Sequence, residues 1–334
     1  MAGAYVTKAD GLILKADPRA VQSFHHRFAS DRTHNESFTI RWFCDLSPEK
    51  KDWYTEVMIL LSRFTFATKE NILEFMRIRG YDVADADEYL DELLVRRCLN
   101  SFYMSETQDE ETSEGKNFPE DAYVVYCLDL CARQVLVRFF REDMIYWRLT
   151  DCYRNTGQIM KYLSTCQFYL ALLDVKRDRL RRFDAPYDAL IGRRTSRYSA
   201  FLEVSDGDPA PRNFVLESVR KADIPTYWEK KVMEQMIPYV DRGYWRQSFV
   251  DAPYFVLLAE DMEVATAAAE ALSRRLPKLR YCVTTDKELL KGLANATFYR
   301  FAYPDVSDPN EITPESNGEL MPVKASIFTK YGKS

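Results

Sequence analysis

The sequence predicts an α/β protein (α+β overall) built from two parts, a helical front half carrying a strand pair and a back half in which strands alternate with helices. Two observations carry this. Apolar residues recur at helical spacing in three successive segments between residues 48 and 98. Beyond residue 198, short β-branched and aromatic runs are separated by helical segments longer than about ten residues, the pattern of a sheet with parallel pairs and covering helices. At 334 residues the chain exceeds the size at which one hydrophobic core stops growing, so about two cores are expected.

The front half starts at Ser47-Pro48-Glu49, a hydroxyl N-cap followed by a proline at the first helical position. A helix is predicted from Pro48 to Phe64, with Trp53, Val57, Leu60, Leu61 and Phe64 as its buried stripe. A second helix spans Lys69 to Arg79 and ends at Gly80, which favours a left-handed C-terminal cap. Asp85-Ala86-Asp87-Glu88 opens a third, whose apolar side is Tyr89, Leu90, Leu93, Leu94 and Cys98. Leu99 to Met104 forms a strand, 105–121 an acidic loop, and Tyr123 to Leu128 a second strand. Three helices followed by strand, loop and strand is the order of a winged helix, a helix-turn-helix variant, here assigned to 47–130.

Residues 1–46 are expected to be an extension packed on the body, and 131–180 a helical connector with Leu163 to Leu173 as its most apolar stretch. In 181–303, strands are predicted at Tyr198 to Val204, Tyr254 to Leu258 and Arg280 to Thr284, and helices at Val215 to Tyr239 and Met262 to Leu276. The tail, 304–334, is rich in Pro, Asn, Ser and Asp and is expected to be irregular.

Composition limits function. The net charge of −5 gives no global field for nucleic acid or acidic lipid, so such binding requires a local patch. The seven cysteines are scattered, without C-x-x-C spacing, and the first residues lack a secretory h-region; both point to a cytoplasmic protein. Every apolar run is interrupted before the ~18 residues of a membrane span, so no membrane partner is expected. Cys127 and Cys131 have no histidine nearby in sequence to complete a zinc site, and the pair His25-His26 has no partner motif; neither metal nor cofactor is expected.

Two constellations remain. Asp188, followed fifteen residues later by Glu203-Val204-Ser205, has the spacing of the two metal-binding acids of a PD-(D/E)xK nuclease. Ser205 stands where the lysine that places the attacking water belongs, so these three are expected to be vestigial, with Asp188 and Glu203 capping strands or pairing with Arg193 and Arg194, and no catalytic residue is assigned. The second is basic: Lys176, Arg177, Arg179, Arg181, Arg182, Arg193, Arg194 and Arg197, with Tyr187 and Tyr198 interleaved, suited to phosphate contacts or else a solvated face balanced by Asp174, Asp178, Asp184 and Asp188. Lys69, Arg96 and Arg97 are added from the edge of the winged helix. Its third helix is otherwise acidic through Asp87, Glu88, Asp91 and Glu92, which suits contact with a protein, dimerisation included, better than contact with phosphate.

The run Leu163 to Leu173, the strand and turn Phe201-Leu202-Glu203-Val204-Ser205-Asp206-Gly207-Asp208, the strand and Ala-rich helix from Tyr254 to Leu272, and Tyr281 to Asp286 with Glu288-Leu289-Leu290 together resemble the replication-relaxation family of plasmid and conjugative-element proteins. The family's Asp-Arg-Gly turn is Ser205-Asp206-Gly207 here. The resemblance covers about residues 50 to 300. It implies a winged helix preceding a degenerate nuclease-like α/β domain, and a non-catalytic accessory role in replication, transfer or transcription, with duplex DNA, a protein partner or a second copy as the partners to test.

Overall fold

The computed structural model describes residues 15–16, 36–105, 123–140, 156–205, 211–276, 279–302 and 321–325. The chain divides into two compact units, Gly3–Cys166 and Gln167–Ser334, and the division falls within the stretch 131–180 expected to be a connector. Among the described residues, no helix is long and apolar enough to cross a membrane.

In the first unit the expected helices form at the expected places. Helix α2 (Pro48–Phe64) starts where Ser47 Oγ accepts from the Lys50 amide, and it buries Trp53, Tyr54, Val57, Met58, Leu60, Leu61 and Phe64. Helix α3 (Lys69–Arg79) opens with a reciprocal capping box between Thr68 and Asn71 and closes on Gly80 at φ +87°. Helix α4 (Ala86–Val95) buries Leu90, Leu93 and Leu94. Strands β3 (Leu99–Ser105) and β4 (Tyr123–Leu128) pair antiparallel.

Three features of this unit were not legible. Residues expected only as an extension packed on the body form helix α1 (Glu36–Asp45), which sets Trp42 on Tyr54 at 5.6 Å and packs Phe43 against Phe139 of α5 (Leu130–Phe140) at 5.2 Å. The three residues Phe66–Thr68 form β2, too short for an alternation to show, and β1 (Lys15–Ala16) adds a fourth strand. The antiparallel order is β1-β3-β4-β2.

Helix α6 (Thr156–Lys176) leads into the second unit, where Tyr169 meets Phe183 at 4.8 Å. Strands β5 (Leu180–Asp184), β8 (Ala200–Val204), β9 (Arg212–Val219), β10 (Tyr254–Ala259), β11 (Tyr281–Thr285), β12 (Phe298–Ala302) and β13 (Met321–Ala325) make one sheet of seven. Its centre, β9-β10-β11, is parallel and both margins are antiparallel. Strands β6 (Tyr187–Ile191) and β7 (Arg194–Tyr198) form a separate two-stranded hairpin.

The sequence-based helix at Val215 to Tyr239 is corrected at its start. Residues Phe214–Val219 are strand, and the helical segment α7 occupies 221–241. Residues Phe214 to Val219 of this central strand are all buried, Glu217 and Ser218 included, so no alternation of apolar and polar residues marks it as a strand. The strand expected from Tyr198 to Val204 is divided at Ser199 between β7 and β8. The tail is not wholly irregular, because β13 pairs with β12. It lies exposed at the sheet edge, where proline is tolerated and no hydrophobic signature is required.

Trp228, Val232, Met236 and Tyr239 of α7 share one buried cluster with Val264, Ala265, Ala268, Ala269 and Leu272 of helix α8 (Met262–Arg275) and with Val215, Phe255, Leu257 and Val283 of the sheet. Tyr187, Ala189 and Tyr198 of the hairpin join the same cluster, so the hairpin is anchored by one face.

Candidate functional site

The basic stretch does not form a single surface. Lys176, at the end of α6, is buried, and burying a charged ammonium removes it from any phosphate. Arg177 and Arg181 are exposed and Arg179 half-buried. Arg182 pairs with Asp184 at 2.5 Å and lies over the Phe201 ring. Arg193, Arg194 and Arg197 belong to the hairpin, where Arg197 makes two bonds of 2.8 and 2.9 Å to Asp188.

The vestigial nuclease positions are separated as well. Asp188 stands on β6 and Glu203 on β8, in different sheets, and the cross-strand neighbour of Glu203 is Arg182. The pairing expected between Asp188 and Arg193 or Arg194 is instead with Arg197, which lies directly opposite across the hairpin. The Ser205 amide donates to the Arg179 carbonyl at 2.8 Å. Among the described residues no three His, Cys, Asp or Glu side chains come together as a set that could hold a metal ion. His25, His26 and His34 lie outside the described residues, while Cys127 and Cys131 are buried.

What the fold does bring together is the hairpin tip and the turn after Gly243, two arginine-bearing segments of which sequence reasoning found only the first. The hairpin turns through Gly192 and Arg193, with Gly192 at φ +64° supplying the left-handed position a two-residue turn requires. Gly192 lies against Tyr244; a β-carbon there would stand 3.4 Å from Oη. Tyr244 follows Gly243, whose φ of +64° opens the short helical turn Tyr244–Gln247. Arg246 folds back over that glycine, where a β-carbon would stand 1.9 Å from its Nη1, and its guanidinium caps the Trp245 ring at 4.7 Å. Arg242, at the C-terminal cap of α7, precedes Gly243.

Arg193, Arg194, Arg242 and Arg246 are all exposed, and among the described residues none has a carboxylate within ion-pair distance. The signal that would have found the second pair is Arg242-Gly243-Tyr244-Trp245-Arg246, where basic and aromatic residues interleave around a glycine.

A buried polar framework holds this surface in place. Lys231 Nζ, on α7, donates to Glu217 Oε1 of β9 at 2.5 Å and to the Arg197 carbonyl of β7 at 3.0 Å. Glu217 Oε2 accepts from the Ser199 amide. Ser196 Oγ donates to Gln235 Oε1 at 2.6 Å, and Tyr187 Oη donates to Ser248 Oγ at 3.3 Å beyond the turn. The hairpin is thus bolted to α7 and to the turn that carries Arg246.

The C-terminal edge of the parallel strands, where open α/β sheets commonly place ligands, is filled by the protein itself. Arg220, just past β9, grips both oxygens of Asp286, just past β11, and donates to the Leu258 carbonyl of β10 and to Ser218 Oγ. Asp223 accepts from the Arg220 amide and Glu260 from the Lys221 amide.

In the first unit the three basic residues singled out are engaged locally. Lys69 pairs with Asp87, Arg96 lies over the Trp42 ring at 5.3 Å, and Arg97, at φ +56°, has its guanidinium 3.5 Å from Asp129. Asp87, Glu88 and Asp91 of α4 are exposed. Glu92 faces inward, accepting from Tyr54, from Trp42 Nε1 at 2.8 Å and from Lys50 Nζ at 3.3 Å. Burial opposes its charge, but these three donors and the Lys50 charge outweigh burial and hold the carboxyl below its ordinary range.

Comparison of the chain with protein-family models, with curated proteins and with solved structures returns no match.

Proposed function

We propose that the protein is a non-catalytic, DNA-associated accessory or regulatory protein of a plasmid or conjugative element, touching DNA through the second unit. The observation that carries this is four exposed arginines, Arg193 and Arg194 at the hairpin tip and Arg242 and Arg246 flanking the adjoining Gly243, none of which has a carboxylate within ion-pair distance among the described residues. In a chain of net charge −5, such a local excess of positive charge is the feature that phosphate binding requires. The topology is compatible with the resemblance. The order α2-β2-α3-α4-β3-β4 fits a winged helix, and the sheet order β5-β8-β9-β10-β11, antiparallel then parallel, fits a nuclease-like domain. The separation of Asp188 from Glu203 favours a non-catalytic role.

Binding to random-sequence duplex should be measured at about 50 and 200 mM salt, the interval over which phosphate contacts reveal themselves. Affinity that collapses at the higher salt, and that is lost on charge reversal of Arg193 and Arg194, supports the reading. A folded protein that binds at neither salt removes it.

A second reading is favoured by the first unit. Helix α4 presents Asp87, Glu88 and Asp91, while Phe38 of α1 and Val137, Phe139 and Phe140 of α5 are exposed. Acidic and apolar surface of this kind suits a protein partner or a second copy, and in this reading the winged helix has exchanged DNA for protein contact. Light scattering across a concentration series separates a self-associating chain from one that needs another protein.

A further inference from the structure

The hairpin β6–β7 stands apart from the seven-stranded sheet, and its two faces differ in kind. Tyr187, Ala189, Ser196 and Tyr198 point inward and are buried. Asp188, Leu190, Thr195 and Arg197 point outward as two cross-strand pairs, Asp188 opposite Arg197 and Leu190 opposite Thr195. The first pair is an internally neutral, doubly hydrogen-bonded unit. The second is an apolar spot: Leu190 is 56% exposed on a strand whose other outward residue is an aspartate. The positive charge is concentrated at the ribbon's end, on Arg193 and Arg194 and on Arg242 and Arg246 of the adjoining turn.

Resting on the DNA-binding reading above, we infer that the outward face of the β6–β7 ribbon lies in the major groove of duplex DNA, with the arginines at its end on the sugar-phosphate backbone. The major groove, about 12 Å wide, admits a two-stranded ribbon. The two strands, each of five residues, are about 17 Å long, enough to follow the groove across several base pairs. Leu190 and the Thr195 methyl supply apolar contact of the kind that meets thymine methyl groups, which project only into this groove. The arginines at the ribbon's end contact the sugar-phosphate backbone and fix register without reading sequence, and guanine N7, on the floor of the same groove, is covered by the ribbon. Single strands, whose bases would stack on Trp245 and Tyr244, are the competing ligand; the exposed apolar pair on the ribbon's outward face is what favours duplex.

The full-length protein should be titrated at low salt with random-sequence duplex and with its separated strands, and guanine N7 methylation mapped in the bound duplex. Expected are a preference for duplex, protection of N7, and a loss of duplex affinity by about tenfold or more in Leu190→Glu, because the new carboxylate, unlike Asp188, has no cross-strand arginine to neutralise it against the field of both phosphate strands. Thr195→Glu, on the neighbouring strand, is the second probe should the first variant not fold. Wild-type binding that leaves N7 reactive, that favours single strands, or that survives the folded glutamate variants unchanged overturns the ribbon assignment and leaves DNA binding standing. Failure of the wild type to bind any DNA removes both.

Discussion

Lys231 of α7 and Glu217 of β9 form an ion pair of 2.5 Å with side chains only 2% and 3% exposed, and the same ammonium reaches the backbone of the hairpin at Arg197. The pair therefore ties three elements together at the base of the arginine surface. Removing one member strands the other charge in the core, so Lys231→Met is expected to cost about 3–5 kcal/mol. Replacing both by apolar residues of similar volume should recover much of that loss. Urea denaturation of the two single variants and the double variant checks this. Equal destabilisation by the double and by the sum of the singles would show that the two side chains do not act as a unit.

Acid sensitivity should arise in part from Glu92. Folded, its carboxyl titrates below the ordinary 4.5, so its charged form contributes stability that is complete above that pH and is lost as pH falls through the lower folded value. Glu92→Gln should lower stability at neutral pH by roughly 1–3 kcal/mol, by weakening the bonds from Tyr54, Trp42 and Lys50. It should also flatten the decline below pH 4.5. Thermal melts of both proteins between pH 3 and 7 decide the matter.

Charge reversal should separate surface from interior. Arg193→Glu with Arg194→Glu is expected to abolish DNA binding while leaving the thermal melt within about 0.5 kcal/mol of wild type, since both side chains are exposed. Lys176→Glu places an acid at a buried position and should instead unfold the second unit. A Lys176 variant that folds normally and only loses DNA would place that lysine at the interface after all.

Gly243 is expected to tolerate no side chain. At φ +64°, Gly243→Ala incurs left-handed strain of about 1–2 kcal/mol. Its β-carbon would also meet Arg246 Nη1, lifting the guanidinium from Trp245. A melt and a tryptophan emission spectrum measure the two effects separately. An unchanged spectrum would show that Arg246 does not rest on the indole in solution.

Thiol reactivity offers a check of the packing. Cys44 is exposed, whereas Cys98, Cys166 and Cys282 are fully buried and burial pushes their thiols up. Alkylation of the native protein near neutral pH, followed by mass spectrometry, should label Cys44 and spare these three until denaturant is added. Rapid labelling of Cys166 or Cys282 would contradict the packing of its unit.

The sequence by itself determined what local chemistry can determine. Ser47-Pro48 and Gly80 mark helix ends and the apolar stripes mark all three helices, because caps and stripes act within a few residues; Asp85 precedes the third without making a side-chain cap bond, and the strand pair after them follows from short β-branched and aromatic runs. Tertiary structure decided the rest. Strand β9 looked helical because a strand buried on both faces carries no alternation, and β13 was invisible because an exposed edge strand needs no apolar pattern. The candidate surface was legible only in part. Arg193 and Arg194 stood in a basic run, but Arg242 and Arg246 come from some fifty residues further along the chain, and Lys176, at the start of the same run, is turned inside. Charge in a linear sequence records which residues are basic. Which of them share a face depends on long-range packing, here on the bonds through Lys231, Ser196 and Tyr187 that lay the hairpin beside the turn at Gly243.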